Sequence, residues 1–276
     1  MLLIWSAIPA AIAAVLLHGR IPQDPGYHLF ADQRVLLGVR NCLNVLSNFP
    51  FLLVGTAGLW FLLRSVATKG ANSFLERKER WPYAVLFLGV ALTCFGSSYY
   101  HLAPSNDRLV WDRVPMTLGF TGLLAAVIAE RISVRAGLRL LFPLVVTGVW
   151  SVFYWHQTEL AGKGDLRIYL LVQFLPVVAI LLLMLLFPPR YTRGRDLLVV
   201  LGLYALAKSF ELCDRQIFTL GHVFSGHTLK HLAAVVSVYW ILRMLERRAP
   251  REASVRTQPE RGGPLKCSGA RQYDGL

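Results

Sequence analysis

Blocks of apolar residues close to twenty long, each ended by charge, Gly or Pro, recur from Asn41 to Leu245. An α-helix takes about 20 such residues to cross the hydrocarbon core of a bilayer, where it must satisfy its backbone internally. The blocks predict seven spans, at 41–63, 82–100, 114–131, 138–155, 166–187, 196–213 and 226–245. Breaks such as Trp81-Pro82 and Pro188-Pro189-Arg190 mark their ends. The 276 residues are 55% apolar and 16% charged, too apolar for a soluble domain of this length. The expected fold is therefore an all-α integral membrane protein, a seven-transmembrane helix bundle within residues 21–248 and no second domain. An additional N-terminal hydrophobic segment lies in residues 1–20. It lacks an early Lys or Arg, which favours a retained helix over the other reading, a signal peptide. Residues 249–276, rich in Arg, Gly, Pro, Gln and Ser, are expected to form a disordered basic tail.

The net charge of +13 is read as a topology signal, and nucleic acid is not expected as a partner. Nineteen Lys and Arg collect on one side, in the loops around Arg64–Arg80, Arg131–Arg139 and Arg190–Arg195 and in the chain from Arg243 onward. Eight collect on the other side, and Lys208 and Lys230 lie within spans. The positive-inside rule then puts the C-terminus in the cytoplasm and the start of the first core span outside. Cys42, Cys94 and Cys213 lie in or at the ends of spans and Cys267 in the tail, with no spacing that suggests a disulfide framework.

Against this apolar background several ionisable side chains stand out, and inside a membrane helix such groups are costly enough to mark function. One cluster is Ser97-Ser98-Tyr99-Tyr100-His101, followed after a polar turn by Asp112. The other is Gly226-His227-Thr228-Leu229-Lys230-His231. Ser97 to His101 and His227 to His231 are i,i+4 steps, so each pair shares a helix face. The predicted topology brings His101, Asp112, His227 and His231 to the outer end of the bundle at matched depth. Three histidines leave a fourth position open on a zinc ion, the pattern of a catalytic rather than a structural site, and water there is acidified to a pKa near 7. Asp112 would serve as general base or hold that water, and Ser97 would donate to a developing oxyanion. The apolar surroundings suit a substrate with an acyl chain. The competing readings are hydrogen-bonded core histidines, an Asp112–Arg113 ion pair, a packing role for Ser97, and haem ligation. The tight i,i+4 pair suits a small ion better than haem.

The set S-x3-H, an Asp at the start of the next helix and H-x3-H in the last helix resembles the alkaline ceramidase family. That family belongs to a wider group of seven-helix membrane hydrolases with the adiponectin-receptor-like and GPI-lipid-remodelling proteins. The resemblance covers about 41–245 in helix order, including the eleven-residue step from His101 to Asp112. It implies one catalytic zinc held by His101, His227 and His231, with Asp112 activating water and Ser97 steadying the oxyanion. The implied reaction cleaves the amide of a ceramide-like lipid to a sphingoid base and a fatty acid, with the bilayer and its lipids as the expected partners. No protein partner is signalled. The wider group leaves two alternatives, a zinc-containing receptor and a hydrolase of an ester or GPI-type lipid. The family's acidic calcium segment is not reproduced: set on Asn44-Val45-Leu46-Ser47-Asn48, most of its ligand positions hold non-acidic residues. Calcium is therefore not expected, and Asp24, Asp32 and Asn41 are the residues left to hold it. Asp24, His28 and Asp32 repeat every four residues and are read as a solvated segment. Asn41, Asn44 and Asn48 form a polar stripe read as interhelical hydrogen bonding, with support of the site second. Lys208, Glu211, Asp214, Arg215 and Lys230 are read first as an ion-pair cluster, the second reading being that Glu211 or Asp214 is the partner of a ligating histidine.

Overall fold

The computed structural model describes residues 2–67 and 73–251, so most of the tail read as disordered lies outside the described residues. Among these the chain is helical throughout, with no strands. The helices are α1 (Leu2–Leu17), α2 (Cys42–Leu46), α3 (Phe49–Ala67), α4 (Arg80–Leu102), α5 (Asn106–Arg131), α6 (Val134–Leu160), α7 (Arg167–Leu186), α8 (Asp196–Leu212), α9 (Asp214–Gly221) and α10 (Gly226–Arg247). Six segments are long and apolar enough to cross a membrane: Cys42–Ser65, Arg77–Leu102, Asn106–Arg131, Val134–Leu160, Arg167–Leu186 and Gly226–Arg247. The α8 helix has 17 residues, about 25 Å of rise, which is short of the roughly 30 Å hydrocarbon core. The chain breaks at Cys213 and continues in the eight-residue α9.

The first core segment is not the uninterrupted helix expected from 41–63. Pro50 has no N–H to give the Leu46 carbonyl, and its ring crowds that group, so the helix breaks between α2 and α3. The break lets Ser47 Oγ and Asn48 Nδ2 donate to the Asn44 carbonyl at 3.0 and 2.8 Å. Asn41 precedes α2 in the left-handed region, with φ of 50°.

The bundle is built the way a membrane protein must be. On α6 the buried stripe includes Gly148, Ser151, Val152 and Trp155, while Phe142, Val146, Trp150 and Phe153 face outward. Small or shape-fitting residues turn inward and large apolar ones meet the surroundings. The closest approach is between α4 and α5. Pro115 cannot donate to the Trp111 carbonyl four residues earlier, and Gly96 of α4 packs against that carbonyl so closely that a Cβ would overlap its oxygen. This contact sets Ser97 beside Asp112.

The segment between α1 and α2 runs across one end of the bundle as a strap. Asp24 accepts from Gly26 N and opens a 3-10 turn at Pro25–His28. Leu166 N donates to the Ile21 carbonyl, Gln23 N donates to Glu159, and Arg34 donates to the carbonyls of His222 and Val223. Phe30 and Asp32 are buried. Of the residues read as solvated, Asp24 is exposed, whereas Asp32 is buried and His28 is held by Tyr100 and Asn106, partners too distant in sequence to leave a local pattern.

Candidate metal centre

His101 lies in the last turn of α4, and His227 and His231 lie in the first two turns of α10. The start of α10 is fixed by its own capping. Ser225 Oγ accepts from Thr228 N at 3.1 Å, and Asp214 Oδ1 accepts from His227 N at 2.7 Å. Gly226 allows the approach, since a Cβ there would overlap the Phe210 carbonyl oxygen and stand 2.7 Å from Asp214 Cα. At the other helix, Asn41 Nδ2 donates to the His101 carbonyl at 2.8 Å.

The three imidazoles are buried, with ring centroids 4.8 to 5.0 Å apart, and their ligating atoms lie within 4.8 Å of one another. Among the described residues they are the one group of His, Cys, Asp or Glu placed to share an ion. Neither ring nitrogen of His101 has a hydrogen-bond partner, nor has His227 Nε2. Leaving a buried polar atom unpaired costs about 1–3 kcal/mol, and three in one place call for a ligand that would relieve them. His28 at the same end makes the contrast: Asn106 Oδ1 and Tyr100 Oη lie 3.0 Å from its two ring nitrogens.

His231 is oriented by Ser47. The Ser47 hydroxyl has one proton, which it gives to the Asn44 carbonyl at 3.0 Å, so at 2.7 Å it accepts from His231 Nδ1–H. That tautomer leaves the Nε2 lone pair free for a metal. The donor set, three buried imidazoles that can each offer one ring nitrogen, fits a divalent transition ion such as zinc. Phe30 of the strap packs on His101 and His227 at 4.7 and 4.5 Å between ring centroids.

Asp112 and Ser97 are both buried, and the Ser97 hydroxyl is within hydrogen-bonding reach of the Asp112 carboxyl. With His231 they line a cavity of about 440 Å³. Its polar end also holds Gln23, Asp24 and Tyr27 of the strap, and Arg113, Lys208, Glu211 and Lys230. Its apolar end runs between α5, α7, α8 and α10 past Leu123, Ile180 and Val200 to Ile241. From Lys230 to Ile241 this is about 16 Å along α10.

The remaining expected residues fall into place less directly. Glu211 pairs with Lys208 and with Lys230, the latter at 2.9 Å, and Tyr27 Oη donates to it at 3.3 Å. It acts as a bridge within the charge cluster, and no histidine ring bonds it. Asp214 supports the site through the His227 backbone and through Ala31 N at 2.9 Å. Asn44 Oδ1 accepts from Thr228 Oγ1 at 2.8 Å. The partner of a ligating ring is Ser47, which the sequence reading passed over; its place three residues after Asn44 on the polar stripe is the one hint. Asp24, Asp32 and Asn41 are engaged separately, by Gly26 N, by Arg34 and by the His101 carbonyl. Burial alone would raise the Asp32 carboxyl, but the Arg34 hydrogen bonds hold it below its ordinary value.

No protein-family model matches the chain, and comparison with curated proteins likewise finds no match.

Proposed function

We propose that the chain is a membrane-embedded, zinc-dependent amidohydrolase acting on acyl lipids of the ceramide type. The observation that carries the reading is the cluster of three buried imidazoles, two of them with unpaired ring nitrogens, beside Asp112 and Ser97 at the polar end of a long apolar cavity. The resemblance of S-x3-H, Asp and H-x3-H to the alkaline ceramidases supports the same conclusion. With α8 counted as a seventh, short span, the positive-inside rule sets the C-terminus in the cytoplasm and the histidine end toward the outer leaflet.

In this reading His101, His227 and His231 hold the ion. When bound, zinc supplies Lewis acidity, polarising a carbonyl and acidifying water toward a pKa of about 7. Asp112 takes a proton from the attacking water and returns it to the leaving nitrogen. The water oxygen bonds the carbonyl carbon, the C–N bond breaks, and a fatty acid and a sphingoid base result. Ser97 donates to the oxyanion that develops between these steps. The acyl chain occupies the apolar part of the cavity, which excludes water and holds the carbonyl at the polar end.

Purified protein should carry about one zinc per chain by elemental analysis and release fatty acid from labelled ceramide. Asp112→Asn should keep the metal and lose roughly 10²–10⁴ in rate. Zinc retained stoichiometrically in a His101/His227/His231 triple alanine variant would overturn the site. A protein with zinc but no Asp112-dependent hydrolysis of amide or ester lipids would overturn the enzyme and leave the receptor reading.

A further inference from the structure

Arg113 follows Asp112 on α5 and is 5% exposed, yet it has no carboxylate within ion-pairing distance among the described residues. Its Nη2 donates to Gln23 Oε1 of the strap at 2.6 Å, and its Nη1 has no partner. The guanidinium lies over the rings of Trp155 and Tyr169 at 4.2 and 4.6 Å, which soften its burial without neutralising its charge. Taking a cation out of water without an anion is costly, and a buried arginine is ordinarily paired. Two other cations line the same cavity, Lys208 and Lys230, and both are matched by Glu211. Asp24 is exposed and caps its own turn, and Asp112 serves the histidine centre. A divalent ion at that centre would add positive charge. Three carboxylates and three cations thus line the cavity, but none of the carboxylates pairs with Arg113, whose planar fork of donors suits a carboxylate or phosphate.

We propose that Arg113 makes the cavity selective for acyl lipids whose polar half carries an anion, a carboxylate or a phosphate, next to the bond to be cleaved. The inference rests on the hydrolase reading for the orientation of the lipid, with its chain toward Ile241 and its polar half under the strap. It narrows the substrate class within that reading: a neutral lipid would fit the cavity but leave Arg113 unmatched.

Binding to purified protein in detergent, read by displacement of a fluorescent ceramide, tests this without requiring turnover. Two pairs of competitors separate the anion sources: N-oleoylglycine against N-oleoylglycinamide, and ceramide 1-phosphate against ceramide. The anionic member of at least one pair should bind about tenfold tighter, as one charge-assisted hydrogen bond would give. Arg113→Gln should erase that preference while leaving the neutral member within about twofold, and Arg113→Lys should keep part of it. Equal binding within both pairs, or a preference that survives Arg113→Gln, overturns the assignment. If Arg113→Gln does not fold, the wild-type comparison and Arg113→Lys still decide. Failure of ceramide hydrolysis leaves the binding result readable, and brisk hydrolysis with no anion preference removes the Arg113 assignment alone.

Discussion

Where α4 begins and α5 and α10 finish, the bundle buries Glu79, Glu130, Arg248, Tyr83 and Tyr191, and nearly every polar atom there has a partner. Arg248 pairs with Glu130 and donates to the Ser73 carbonyl at 2.8 Å, Tyr83 Oη donates to Glu130 at 2.8 Å, and Tyr191 Oη donates to Glu79. Eighteen residues along α4, about 27 Å away, the other end buries as much polarity and leaves it unsatisfied. Six of the eight unpartnered buried side-chain atoms among the described residues lie there, on Asn44, Asn48, His101, Arg113 and His227. Both ends violate the rule that membrane helices avoid ionisable groups, so the violation alone does not mark a site. Satisfaction separates them: the Arg248 end is a clamp that closes the bundle, and the histidine end holds buried nitrogens that no protein group pairs.

The largest effect should come from breaking this division at both ends. Arg248→Met leaves Glu130 buried without its cation and should cost about 3–5 kcal/mol of stability, with zinc content unchanged in the protein that remains folded. His101→Phe does the reverse. It removes two unpaired nitrogens, so metal-stripped variant should be at least as stable as metal-stripped wild type, by up to about 1–3 kcal/mol, while binding no zinc. Thermal unfolding in detergent and metal analysis read both. Loss of stability in metal-free His101→Phe would mean that its ring has a structural partner after all and would dissolve the contrast.

How far the sequence reveals this follows from the range of each interaction. The helices are legible because hydropathy is a local property, and the histidines because i,i+4 steps on one helix are local too. His101 joins the others only through the fold, which sets the end of α4 beside the start of α10. The break at Pro50 was open to prediction from proline chemistry but is masked by the apolar run around it. Ser47, Phe30 and Arg248 are illegible for a common reason. Each makes its defining contact with a residue more than 70 positions away: Ser47 with His231, Phe30 with His101, and Arg248 with Glu130. No periodicity records such a pairing. The Lys208–Glu211 pair is legible as an i,i+3 step on one helix, whereas the links from Glu211 to Lys230 and from Asp214 to the His227 amide come only with the fold.

A smaller effect is expected at Ser47, which belongs to the unsatisfied end but is itself satisfied. Ser47→Ala removes the acceptor that holds His231 in its Nδ1–H tautomer and should weaken zinc binding by about 10–100-fold. Titration against a competing chelator measures it, and stability of the metal-free protein should change little. Unaltered zinc affinity would show that the α10 backbone alone orients the ring.

The smallest effect tests whether satisfaction, rather than position, decides a residue's role. Asp165 lies in the loop between α6 and α7 and is fully engaged: it accepts from Arg167 Nε and Nη2 at 2.8 and 2.7 Å, and Tyr154 Oη lies 3.3 Å from it. Arg167 in turn donates to the carbonyls of Leu16 and His18 at 2.7 Å, tying the end of α1 to α7. The hydrogen bonds from Arg167 hold the Asp165 carboxyl below its ordinary value. A carboxyl depressed in the folded state stabilises at pH above its unfolded value, about 3.9, and loses that contribution as pH falls through the folded value. Asp165→Asn should therefore lower Tm by a few degrees at neutral pH, with the gap to wild type closing below about pH 4. Zinc content and hydrolysis at neutral pH should stay as they were, because the tie shares no ligand with the histidines. A loss of zinc in Asp165→Asn would mean that the strap's anchorage reaches the metal centre, and the two kinds of polar cluster would then be mechanically one.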